Sequence, residues 1–190
     1  QSSDILSYKI KWLGKYIDKN LFPKNKINNY FNIPKIVMAR MTDRIRCAWD
    51  NNNFYCAKIN VIVSKQHNQE LLKSILGILN SNLINYYYKE IYRALHKKGD
   101  ALGFDIPSIE KLPFPDIEKI NNICFVVDKI LAITQTEDYL QNQEKQDAVK
   151  EYEKQIDVMV YKLYELTYDE VLTIDEDFCF SEQEYNNYQL

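Results

Sequence analysis

The sequence predicts an α+β fold: a small antiparallel β-meander packed with helices, followed by a helical, hairpin-like C-terminal part. Three observations point there. Residues 35–64 alternate apolar and polar side chains in short runs with β-branched content. Residues 70–95 and 117–166 repeat apolar side chains at spacings of three and four. Between those helical stretches, "FDIPSIEKLPFPDI" carries prolines at 107, 113 and 115, which favour an extended boundary. The chain therefore divides into residues 1–115, mixed, and residues 116–190, helical.

Taken in order, residues 1–33 are rich in Lys, Asn and aromatics, with a short helix expected over 8–19. "KIVMAR" at 35–40 reads as a first strand, "MTD" at 41–43 as a turn, and 44–49 as a second strand. In the second, Ile45, Cys47 and Trp49 share one face, while Arg44, Arg46 and Ala48 share the other. "DNNN" at 50–53 is a turn, because Asn and Asp tolerate positive φ and bond their own backbone. Residues 54–64 are the third strand. Leu71, Leu72, Ile75, Leu76 and Leu79 mark a helix, interrupted by "NSN" at 80–82 and resumed through Leu83, Ile84, Tyr87, Ile91 and Leu95. "HKKGDALG" at 96–103 is a basic loop. A further helix is expected to about 133 and a longer one from about 138, seamed by Ile156, Met159, Val160, Leu163 and Tyr164. Thr167 and Glu170 form a capping box for a last short helix.

Of 190 residues, 46% are apolar and 27% charged, which describes a chain able to build a core. Cysteines at 47, 56, 124 and 179 form no C-x-x-C pair, and with two histidines they make no metal site; they read as reduced thiols of a cytoplasmic protein. No apolar run is long enough for a membrane span. The chain opens on "QSSDILSYK" rather than Met, which reads as a piece of a larger protein. Catalytic patterns are missing: no G-x-x-x-x-G-K-[ST], G-x-G-x-x-G, H-E-x-x-H or G-x-S-x-G. No acid is followed two positions on by Lys, as the metal nucleases that use a paired acid and Lys require, and no N-P-P-[YFW] is present. No catalytic residue, metal ligand or cofactor is assigned to this chain.

Charge is split. Residues 1–110 hold 17 Lys and Arg against 9 Asp and Glu, about +8, whereas 111–190 hold 7 against 18, about −11. A basic half suits a polyanionic partner. Arg40, Arg44 and Arg46 offer planar forks that match phosphate oxygens or the guanine O6/N7 edge. The plainer alternative pairs them with Asp43, Asp50 and the acidic tail. Arg93, His96, Lys97 and Lys98 follow the tyrosine-rich "NYYYKEIY" and suit backbone tracking. The plainer alternative there is a helix C-terminus, where cations meet the macrodipole.

Four blocks occur in order: "KIVMARMTDRIRCAWDNNNFYCAKINVIV", "LLKSILGILNSNLINYYYKE", "FDIPSIEKLPFPDI" and "EKQIDVMVYKLYELTYDEVLTID". Together they resemble the TaqI-like C-terminal specificity domain, related to the target recognition domains of type I specificity subunits. The resemblance implies a non-catalytic module that reads double-stranded DNA. Its parent would be a type IIG restriction enzyme and adenine-N6 DNA methyltransferase. S-adenosylmethionine and Mg²⁺ would belong to the parent's other domains, and an upstream methyltransferase domain would be a partner on the same chain. Recognition residues vary with target, so none is carried over. One departure is Glu165, where many relatives have Gly. The alternative is a helical protein-interaction module of a restriction–modification complex, like a type I specificity subunit.

Overall fold

A computed structural model describes residues 2–14, 18–24, 30–51, 54, 59–92, 102–120 and 122–190. Its described elements are antiparallel strands and seven helices, an α+β fold as the sequence predicts. The first expectation to change is the helix over 8–19. Strands β1 (Ile5–Leu6) and β2 (Lys9–Ile10) instead form a small hairpin. Tyr8 bends it with a φ of 62°. Tertiary contacts hold that backbone: Tyr8 N–H donates to the Cys47 carbonyl (2.8 Å), and the Tyr8 carbonyl accepts from Thr134 Oγ1 (3.2 Å). Both lie outside the reach of local periodicity.

The main sheet joins β3 (Lys35–Met38), β5 (Cys47–Asp50) and β6 (Asn60–Ile62), all pairing antiparallel with β3. Its order is β5-β3-β6, so the strands do not follow one another as a meander does. Every residue of β3 is buried, with Ile36 and Met38 in one cluster and Val37 in the other, and β5 is covered on both faces in the same way. β3 is central because it pairs along both of its edges, whereas the outer side of β5 meets the Asn80 carboxamide instead of a strand. Of the expected third strand, residues 55–58 fall outside the described part. β4 (Met41–Thr42), in the segment read as a turn, pairs with β7 (Leu102–Gly103).

Helices α1 (Gln69–Asn80) and α2 (Asn82–Ile91) follow, and Ser81 is their hinge. Its ψ of 155° stops α1, and its hydroxyl accepts from Ile84 N–H to start α2. Asp105 caps a single turn, α3 (Ile106–Ile109), in the proline-rich segment, with Pro107 in its first turn, where no N–H is needed. α4 (Ile123–Thr134) and α5 (Gln143–Leu163) complete the packing around α1. Gly77 permits the close approach: a Cβ there would stand 2.7 Å from Ile123 Cγ2 and 3.1 Å from Val127 Cγ2. One apolar cluster holds Ile36 and Trp49 of the sheet, Leu76 of α1, Val127 of α4 and Ile156 of α5. It draws on residues from both sides of position 115.

α5 ends in a Schellman motif: Glu165 N–H donates to Lys162 and Leu166 N–H to Tyr161. Glu165 holds a φ of 57°, the conformation that favours glycine, so this helix end keeps the geometry without the usual residue. Thr167 and Glu170 cap α6 (Tyr168–Ile174) as the sequence predicts. Ser181 and Glu184 repeat that box for α7 (Glu182–Asn187), which periodicity did not mark.

Candidate DNA interface and the cavity behind it

The loop between β3 and β5 is closed by Ala39 N–H donating to the Arg46 carbonyl (3.0 Å). Thr42 Oγ1 turns back onto the Arg44 carbonyl (2.5 Å). The three arginines of this loop therefore meet three environments. Arg40 is exposed, and its carbonyl accepts from Phe104 N–H (2.9 Å). Arg46 pairs with Asp43 at 2.8 Å, on a side chain 31% exposed. That is the plainer alternative raised for it. Arg44 turns inward: Nη2 donates to the Asn80 carbonyl (2.8 Å) and to Asn82 Oδ1 (3.4 Å). Alternation places Arg44 and Arg46 on one strand face, but β5 starts only at Cys47, so the loop separates them.

Arg93, His96, Lys97 and Lys98 lie outside the described residues. The described chain stops before them at Tyr92 and resumes at Leu102, and both ends are tied to the same place. Tyr92 hydroxyl donates to Ser108 (3.3 Å), and Tyr88 hydroxyl donates to Gly103 (2.6 Å). Leu102 faces Thr42 and Gly103 faces Met41 in the β4–β7 ladder. Thus residues 102–104, which follow the basic segment in sequence, sit beside Arg40. Lys111, which charge counting passed over, is also exposed here. It shares with Arg40 the task of stabilising the Asp105 carboxylate, whose pKa is lowered first by hydrogen bonds from Ser108 and then by these two cations. The motif "IPSIEKLP" contains Lys111, yet only the β4–β7 clasp brings it near residue 40.

Behind the loop lies a polar cavity of about 240 Å³, lined by Tyr8, Arg44, Asn82, Glu153, Asp157 and neighbours. Asp157 is 8% exposed and accepts from Asn82 N–H (2.7 Å), capping α2 from α5. Burial pushes its pKa up to about 7, against the Asn82 hydrogen bond and the Arg44 charge, while Asp175 and Glu153 push the same way as burial. Burial also raises Glu153, again opposed by Arg44. A raised carboxyl pKa makes the fold bind a proton that the unfolded chain has released. Stability contributed by this site is therefore present in acid and lost as pH rises through 7. Asp157→Asn keeps the acceptor for Asn82 without the buried charge. Thermal melting should show little change near pH 4 and a gain of about 1–2 kcal/mol above pH 7.5, part of the gain being offset by the lost attraction to Arg44. A gain equal at both pH values would remove Asp157 titration as its cause.

The neighbouring asparagines are functional in a structural sense that the sequence hid. Asn80 Oδ1 accepts from Cys47 N–H (2.9 Å) while its Nδ2 donates to the Cys47 carbonyl (3.0 Å). Asn85 Oδ1 accepts from Ile45 N–H (2.6 Å), and Nδ2 donates to Ser81 (2.8 Å). The pair thus satisfies Cys47, at the start of the outer edge of β5, and Ile45 in the loop before it, from a helix junction instead of a strand.

Among the described residues, no three His, Cys, Asp or Glu side chains gather as a metal-binding group, and no helix is long and apolar enough to cross a membrane. Cys47 and Cys124 are buried and Cys179 is exposed. No curated protein matches the chain. A family model described as the TaqI-like C-terminal specificity domain matches residues 1–114. Three of the four sequence blocks fall wholly or mostly inside that span, and the block in α5 and α6 lies past it. With more than half its length matched, the chain belongs to the TaqI-like C-terminal specificity domain family.

Proposed function

We propose that this chain is the DNA target recognition domain of a restriction–modification enzyme, and that it meets the duplex along the edge that carries Arg40 and Lys111, with the cations of residues 93–98 as further contacts. Family membership carries the reading. The β4–β7 clasp supports the location, because it sets residues 102–103, which follow the second basic stretch in sequence, against the first. Phosphate contacts by Arg40, Lys111 and the 93–98 cations position the domain, and a few base contacts specify. The parent is a cytoplasmic type IIG enzyme that methylates adenine N6. S-adenosylmethionine and Mg²⁺ act in its other domains, and the upstream methyltransferase domain packs on this chain.

The test uses the full enzyme. Removing one phosphate-binding cation lowers the slope of log affinity against log salt by roughly 0.9. Arg40→Ala with Lys111→Ala should lower the slope by about 2, and neutralising Arg93, Lys97 and Lys98 should lower it further. Lys150→Ala on α5, already paired with Asp147 at 3.1 Å, should leave it unchanged. Equal slopes in all variants would defeat the proposed edge. A second reading, a helical assembly module, is favoured by Phe125 and Ile117, 64% and 60% exposed. Indifference of the enzyme to duplex sequence, with tight binding of a protein partner abolished in Phe125→Ser, would select it.

A further inference from the structure

Arg44 belongs to the loop that carries Arg40, but its guanidinium is spent inside the protein. Its first acceptor, the Asn80 carbonyl, is at the last residue of α1, where carbonyls lack intrahelical donors and the macrodipole is negative. Its second, Asn82 Oδ1, is at the first residue of α2. Its Nε is closed off from solvent and finds no acceptor among the described residues. The same junction is held from the other side of the sequence by Asp157 of α5, through Asn82 N–H. Glu153, one turn earlier on α5, lines the cavity with them, as do Tyr8, Lys150 and Lys154. The Glu153 and Asp157 carboxyls thus face the Arg44 charge, and Nη2 is already engaged by both helix-end acceptors.

We propose that Arg44 is a positioning residue: it fixes the 40–46 loop against the α1–α2 junction and α5, so that α5 governs how Arg40 is presented to DNA. This rests on the reading of the chain as a DNA recognition domain. It makes a helix beyond the matched span part of the recognition device. Both bonds leave one nitrogen, Nη2, which lies one atom farther from the backbone than a lysine Nζ, so a lysine ammonium falls short of them.

The test compares Arg44→Gln, Arg44→Lys and Glu153→Gln in the full enzyme by two measurements. Hydrogen exchange needs no DNA. Amides of residues 41–47 and 102–104 should exchange at least tenfold faster in both Arg44 variants, with α4 unchanged. Salt titration on cognate and scrambled duplexes should show an unaltered slope and a cognate preference reduced at least tenfold, with Lys failing to rescue. Glu153→Gln, which leaves both Arg44 hydrogen bonds in place, should reproduce a smaller loss of preference and serves if the Arg44 variants do not fold. Unchanged exchange in the loop overturns the proposal whatever the DNA results. A slope lowered by about 1 with preference intact also overturns it and makes Arg44 a phosphate contact. Faster loop exchange in an enzyme whose Arg40 and 93–98 variants keep their slopes would instead uphold the positioning role and defeat the DNA-facing edge.

Discussion

Lys35→Met should destabilise the protein by about 3–5 kcal/mol, measured by chemical denaturation. Lys35 and Asp50 face each other in the β3–β5 register and are 0% exposed, with Nζ 2.7 Å from Oδ2. The ammonium also donates to the Phe31 carbonyl (2.8 Å), and Asp50 Oδ2 accepts from Phe54 N–H (3.0 Å). Each charge gave up its hydration to enter the sheet, so removing one leaves the other buried without its counter-ion. Removing both charges should cost far less. Lys35→Met with Asp50→Asn keeps an acceptor for Phe54 and should lose about 1–2 kcal/mol. The two single variants together should therefore cost well more than the double, and the double-mutant cycle returns that excess as the coupling of the pair. A single variant within about 1 kcal/mol of the parent would mean that water reaches the pair. The bridge also ties the start of β3 to the end of β5, away from the loop that faces DNA in the proposed reading. Its loss should therefore lower the melting temperature without changing the salt slope of binding.

The sequence made the helices legible and left the connections between distant segments obscure, for a physical reason. Amphipathic periodicity reports burial along one element, so α1, the break at Ser81, and the Thr167 capping box could be read directly. Strand order depends on which strand is paired along both edges, and burial does not report it, since β3 and β5 are both covered on two faces. Lys35 at the head of "KIVM" reads as a solvent-facing end unless Asp50 is known to stand opposite it. The arginines show the same limit. Arg44 and Arg46 have equal parity, yet one meets a helix terminus about 36 residues on and the other meets Asp43 three residues back. Nothing in residues 40–46 distinguishes them. Lys111 and Arg40 come together only through a two-residue ladder at the end of a long excursion.

Asn80→Ala should cost about 2–4 kcal/mol, because its carboxamide serves both backbone groups of Cys47 in the core. The Cys47 carbonyl would retain the Tyr8 N–H, but the Cys47 N–H would lose the acceptor it uses at the covered edge of β5. A buried, unsatisfied N–H costs about 1–3 kcal/mol beyond the broken bond. Asn80→Asp discriminates between loss of hydrogen bonding and loss of packing, since it preserves shape. The acid keeps an oxygen for Cys47 N–H and, when ionised, turns the other against the Cys47 carbonyl. Asp should therefore be as harmful as Ala or worse near pH 7, and should recover part of its stability in acid, where a protonated oxygen can donate to that carbonyl. The unaltered protein would supply the reference at each pH, so that titration of Asp157 cancels from the comparison. The Arg44 contact is to the Asn80 backbone carbonyl and survives both changes. Stability should thus fall while loop exchange near residue 44 rises less than in Arg44→Gln. Equal loop exchange in Asn80→Ala and Arg44→Gln would show that the carboxamide, not the guanidinium, holds the loop in place.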